Sequence, residues 1–124
     1  MIVKDYFDAK KIFKPEDEVW ACAFKYQHSK EGKRFFQKPV LGRLMCGNTL
    51  EKHLNCIRDC RCYLNYFVPY KKNSNQLAWS RAVEIYSRMY ATSEAECIQL
   101  YNSMIAENIN WHTKAIEELR KEFV

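Results

Sequence analysis

The sequence predicts an α+β fold, with an amino-terminal antiparallel β-sheet followed by one long or two shorter carboxy-terminal α-helices. Residues 18–27, EVWACAFKYQ, alternate with period two, as a strand facing two environments does. Residues 34–46 and 77–90 also read as extended. From Ser93 onward no Gly or Pro occurs, and apolar residues recur at three- and four-residue steps. The 124 residues fit a single domain, 1–124, with a sheet portion at about 18–90 and a helical portion at about 93–123.

Residues 1–17 suggest a short element and then a loop at Pro15-Glu16-Asp17. In the first strand Val19, Ala21 and Ala23 share one face, and Trp20, Cys22, Phe24 and Tyr26 the other. HSKEGK, with Gly32, supplies a turn into RFFQKPVLGRLMC, which makes a hairpin. Pro39 and Gly42 mark an edge, a bulge or an interruption in it. Thr49 is a candidate N-cap, and Leu50, Leu54 and Ile57 give a short helix over about 49–60. RCYLNYFVPY is a strand that ends at Pro69, and KKNSNQ is a loop. The strand at 77–90 alternates from Ala82, with Val83, Ile85, Ser87 and Met89 opposite Glu84, Tyr86, Arg88 and Tyr90.

Ser93 followed by Glu96 is a capping-box pattern. Beyond it Ile98, Asn102, Ile105, Ile109, His112, Ile116, Leu119 and Phe123 form a seam of period 3.5, the spacing of two packed helices. Thirty continuous helical residues reach about 45 Å. A break near 106–110, where two Asn lower helix propensity, gives the two-helix alternative. The seam predicts association with another copy of the chain, through Ile98, Ile105, Ile109, His112, Ile116 and Leu119.

Composition narrows the function classes. The net charge is +5, which tilts partners towards anions such as nucleotides but falls short of a DNA-binding signature. Lys30, Lys33 and Arg34, and Lys71 with Lys72, read first as solvated loop charge. The aromatic share of 15% asks for a core, an interface or a ligand site to hold the rings. No apolar run approaches a membrane span, and no secretory segment is visible, so the expected setting is the cytoplasm, with the six cysteines reduced.

Catalytic and cofactor signatures are missing: there is no P-loop, G-x-G-x-x-G, G-x-S-x-G or H-E-x-x-H, and no His-x-Thr pair. The expectation is a protein with no catalytic residue, no cofactor and no metal. His53, Cys56, Cys60 and Cys62 come nearest to a zinc set, since a helix can present the first three on one face. Paired C-x2-C knuckles are absent, and cysteine often serves as a small buried apolar residue.

Two patterns read as binding or as structure. Asn102 and His112 interrupt the seam, either to specify helix pairing or because the seam opens onto a ligand that Asn102 hydrogen-bonds. Trp79, Arg81, Tyr86, Arg88 and Tyr90 place arginines beside rings, which suits stacking a base and gripping a phosphate. The same residues also suit a solvated strand face with snorkelling arginines.

The order of a sheet, then YATSEAE at 90–96, IQLYN at 98–102 and INWH at 109–112, resembles the small phage proteins that defeat the bacterial Thoeris defence by sequestering its signal. The resemblance lies mainly in residues 60–124 and in architecture. It implies an amino-terminal sheet with two carboxy-terminal helices, assembly as dimers or hexamers in the host cytoplasm, and capture without cleavage of cyclic ADP-ribose isomers or cyclic di- or trinucleotides. It also implies ligand contacts at Asn102, Arg88, Tyr90 and Arg120, with Trp79 or Tyr90 as the stacking ring. Other small phage inhibitors, anti-CRISPR proteins among them, share this size and character, so an inhibitor directed at a host protein is the alternative.

Overall fold

The computed structural model describes residues 1–26, 34–59 and 63–124. Six antiparallel strands, β1 (Ile2–Val3), β2 (Glu18–Tyr26), β3 (Arg34–Met45), β4 (Tyr66–Pro69), β5 (Val83–Glu84) and β6 (Met89–Ala91), form one sheet in the order β1-β6-β2-β3-β4-β5. Helices α1 (Tyr6–Ile12) and α2 (Leu50–Arg58) lie between strands, and α3 (Glu94–Arg120) closes the chain. The α+β class, with the sheet before a long carboxy-terminal helix, is as the sequence predicts. The seam continues through 106–110 without a break, so the one-helix alternative holds.

Several local signals act as expected. Thr49 caps α2 by accepting from the Lys52 N–H at 3.2 Å. Ser93 caps α3, accepting from the Glu96 N–H at 3.2 Å and donating to its carboxylate at 2.8 Å. β2 and β3 pair as the predicted hairpin; its turn at Gly32 lies outside the described residues. The register slips between Ala21, opposite Val40, and Ala23, opposite Gln37, so the extra residue sits at Lys38-Pro39. Pro39 therefore marks a bulge, where its missing N–H costs no ladder bond. The apolar face expected of α2 is not the buried one: Leu50 and Leu54 are about half exposed, while His53 is fully buried.

The strand expected over 77–90 is broken. A 3-10 turn at Trp79–Arg81 precedes β5, and a second at Ile85–Ser87 follows it. Ile85 and Tyr90 both enter the same core, although five residues apart, a spacing that one continuous strand sends to opposite faces. The second turn resets the phase. It also carries the chain from the β5 edge of the sheet back to β6, four positions away. On a flat sheet that is about 19 Å at roughly 4.8 Å per strand. Residues 85–88, three of them in a turn rising about 2 Å per residue, reach only about 13 Å. The sheet therefore curls.

The curl encloses Val19, Ala21, Leu44, Phe67, Ile85 and Tyr90, and α1 adds Ala9 and its C-cap Phe13. On the opposite face Cys22 and Ala91 meet Cys97 and Leu100 of α3, with Trp20, Met89, Tyr101 and Met104 around them. The two faces of β2 thus part as its alternation predicts. Cys97 donates to the Cys22 sulfur, and this contact together with burial raises its thiol well above the usual value.

Tyr90 links the two ends of the curl. Its ring lies 5.9 Å from that of Phe67, and its hydroxyl donates to the Ile85 carbonyl at 2.6 Å. Burial raises its phenol far above the usual value of about 10, because the phenolate finds no water there. The folded state holds this proton longer than the unfolded chain does. Stability is intact below pH about 10 and falls above it, by up to ~1.4 kcal/mol per pH unit. Tyr90→Phe leaves the Ile85 carbonyl without its donor, costing about 1 kcal/mol at pH 7. Denaturation curves at pH 7 and pH 11 are expected to converge partly in this variant; an unchanged alkaline loss would refute the assignment.

Candidate functional site

A groove of about 980 Å³ runs over β3 and β4 towards the 3-10 turns. Trp20, Val40, Leu41 and Pro69 supply its apolar wall, and Lys71, Arg81 and Arg88 its charge. Among the described lining residues there is no carboxylate, histidine or thiol. Its cations and apolar wall are the two features an anion with flat rings would need.

Arg81 ends the first 3-10 turn, where its Nη2 donates to the Tyr70 carbonyl at 3.2 Å and its side chain is otherwise exposed. Arg88 follows the second turn. Its Nε donates to Gln37 Oε1 on β3, and Nη1 to the Ser87 carbonyl at 3.0 Å and to Ser87 Oγ at 3.1 Å. Burial lowers its pKa, but an arginine starts above 12 and stays charged near neutrality. Tyr70 is fixed from both sides: its hydroxyl accepts from Arg43 Nε at 2.8 Å and donates to Glu18 at 2.7 Å. Burial, and then the bond to Glu18, raises its phenol.

Trp79 faces a different cavity, of about 430 Å³, with Glu16, Arg43, Leu50, His53 and Lys71. Two residues of one 3-10 turn, Trp79 and Arg81, thus point to opposite sides of the 70–77 loop. The His53 ring is 6.2 Å from the Trp79 indole. Its Nδ1 accepts from the Cys46 N–H at 3.0 Å, which leaves the ring proton on Nε2, facing Glu16 Oε1 at 3.2 Å. Glu16 has φ of 75°, a left-handed backbone uncommon outside Gly, held by its N–H on the Leu44 carbonyl at 2.7 Å and by Arg43 Nη1 on its carbonyl at 3.1 Å. Both His53 nitrogens are engaged within the protein, and no group of three metal-ligating side chains occurs among the described residues. Cys60 and Cys62 lie outside the described residues. Cys22, Cys56 and Cys97 form no disulfide.

The structure brings Arg81 and Arg88 into one groove and separates the rest of the predicted set. Tyr90 is corrected: it is fully buried, its hydroxyl is used, and no ring face is open to a ligand. Asn102 is exposed on α3 away from the groove, and Arg120 is exposed in the last turn of that helix. Eighteen residues apart, these two lie about 27 Å from each other along the helix, so one protomer does not bring them together. Local spacing carries no signal for Gln37, Tyr70 or Lys71 in this groove, because they come from β3, the residue after β4 and a loop whose lysines read as solvated charge.

The predicted seam lies beside the face of α3 that meets the sheet. Cys97, Leu100, Tyr101 and Met104 pack on it, and at 100° per residue Ile98, Ile105, Ile109, His112 and Ile116 sit about a quarter turn around. Ile98 is 43% exposed, Ile109 61%, Ile116 51% and Leu119 69%; Ile105 and His112 are half-buried. Among the described residues no helix is long and apolar enough to cross a membrane.

Compared with protein-family models, with curated proteins and with solved structures, the chain finds no match.

Proposed function

We propose that this chain is a self-associating binding protein that captures a phosphate-bearing nucleotide and leaves it intact. The groove carries the reading: three cations, an apolar wall and no carboxylate among its described lining residues suit a multiply charged anion with flat rings. The resemblance extends it to a phage anti-defence sponge in the host cytoplasm, with cyclic ADP-ribose isomers or cyclic oligonucleotides as ligands and the helical seam as the contact between copies. Asn102 and Arg120 then serve the ligand only across such a contact, from a neighbouring copy.

A thermal-shift panel of cyclic ADP-ribose isomers and cyclic di- and trinucleotides tests this. A true ligand at a hundredfold over its Kd stabilises by about 2.7 kcal/mol, a rise in Tm of roughly 10 °C. Arg81→Ala is expected to remove most of that rise without lowering the Tm of the free protein, since Arg81 is exposed. Heat denaturation is expected to release the ligand unchanged. Recovery of a hydrolysed product makes the protein an enzyme, and no shift across the panel ends the reading. The exposed Ile109, Trp111 and Leu119 favour the second reading, an inhibitor seated on a host protein, should one stoichiometric effector be captured without nucleotide affinity.

A further inference from the structure

Arg88 lines two cavities. Besides the basic groove, it borders a cleft of about 400 Å³ built from Lys4 and Tyr6 at the amino terminus, Phe24 on β2, and Tyr86 on the second 3-10 turn. Asp5 is the one carboxylate among the described lining residues, and it already accepts from the Phe7 N–H at 2.8 Å to cap α1. The two cavities differ in chemistry. The groove is cationic over an apolar wall; the cleft is walled by rings, with Tyr6 and Tyr86 meeting edge-on at 6.1 Å between centroids and Tyr86 55% exposed. Its volume falls within the range of small-ligand pockets, roughly 300–1,000 Å³. Between the cavities stands the Arg88 guanidinium, half-buried and held in place by Gln37 and Ser87.

Resting on the anion-binding reading above, we infer that the aromatic cleft is the base-binding half of the same site and that Arg88 separates base from phosphates. The ligand class this defines is a nucleotide with an unpaired base joined to a di- or polyphosphate, bound by both halves at once. The base stacks against Tyr86 and the other rings of the cleft. The phosphates lie on the far side of Arg88, towards Arg81 and Lys71. Every base offers a π-face, so the cleft supplies affinity with modest base preference, at roughly 1–3 kcal/mol per stacked base. Pyrophosphate occupies only the basic half and lacks that contribution.

Isothermal titration with ADP and with inorganic pyrophosphate separates the halves. The intact protein is expected to bind ADP about tenfold or more tightly than pyrophosphate. Tyr86→Ala is expected to weaken ADP about tenfold and to leave pyrophosphate unchanged, while Tyr86→Phe, which keeps the ring, binds ADP as the parent does. Arg81→Ala is expected to weaken both probes. Equal affinity of the parent for the two probes overturns the inference, as does a Tyr86→Ala loss that is equal for both or absent; loss of both probes in Arg81→Ala then still supports the anion-binding reading. Binding of neither probe by the intact protein, alongside a flat thermal-shift panel, overturns the inference and the reading together.

Discussion

Replacing His53 by leucine is expected to lower the stability of the fold by about 3 kcal/mol, seen as an earlier denaturation midpoint and a fall in Tm of roughly 10 °C. The ring is fully buried where α2 meets the end of β3, and there it is an acceptor. Leucine fills much of the space but removes the His53 acceptor from the Cys46 N–H, and losing such a buried bond costs about 1–3 kcal/mol. Its branched shape against the Trp79 ring adds about 1 kcal/mol. Asparagine separates the two effects, because its Oδ1 stands on the same carbon as Nδ1 of histidine and takes over the Cys46 bond. His53→Asn is expected to recover about half of the loss, although it drops the contact with Glu16. Equal losses for leucine and asparagine would show that packing alone matters here. The same experiment bears on zinc. With Nδ1 turned to a backbone amide and Nε2 to Glu16, a chelator is expected to leave the parent protein's midpoint where it is; a lowered midpoint would restore the metal reading of His53, Cys56, Cys60 and Cys62.

The part of the fold legible in the sequence is the part set by local spacing. Alternation in β2, the Thr49 and Ser93 caps and the unbroken run after Ser93 each depend on neighbours within about four residues along the chain, and each appears where it was expected. The strand order was not legible, because it depends on which edges meet. Tyr90 shows the consequence. Alternation from Ala82 puts it on the face opposite Ile85, but the 3-10 turn at Ile85–Ser87 resets the phase and brings both into one core. Gly42 teaches the same lesson. It reads as an interruption, yet it lies inside β3, and a Cβ there would sit 2.4 Å from the Val68 carbonyl oxygen and 2.6 Å from the Phe67 ring. The residue is glycine because β4 crowds it, and β4 is some 25 residues away in sequence. The site follows this division. Arginine beside aromatic residues marks Arg81 and Arg88 as candidates, but only the curl of the sheet brings Gln37, Tyr70 and the Tyr6–Tyr86 pair to them.

Ile109→Glu is expected to convert the proposed oligomer to a monomer of 14.9 kDa by native mass, weakening self-association about a thousandfold. Ile109 lies at the middle of the seam and is 61% exposed in the single chain, so a carboxylate there costs the isolated fold almost nothing. In a helix pair the same carboxylate is trapped against apolar neighbours without a counter-charge, and about 4 kcal/mol is a modest figure for that. The seam has length enough for such a contact, since 27 residues make a helix of about 40 Å. Asn102 then indicates how the copies run. An antiparallel pair centred on Ile109 sets Asn102, seven residues before, opposite Ile116, seven residues after, and buries an amide against a butyl side chain. A parallel pair sets Asn102 against its own copy, where the two amides bond each other and fix the register at some cost in stability. Asn102→Ile is accordingly expected to tighten association while admitting larger assemblies. A monomeric parent protein at micromolar concentration, or an Ile109→Glu variant of unchanged native mass, would remove the seam as the contact and with it the route by which Asn102 and Arg120 reach a ligand.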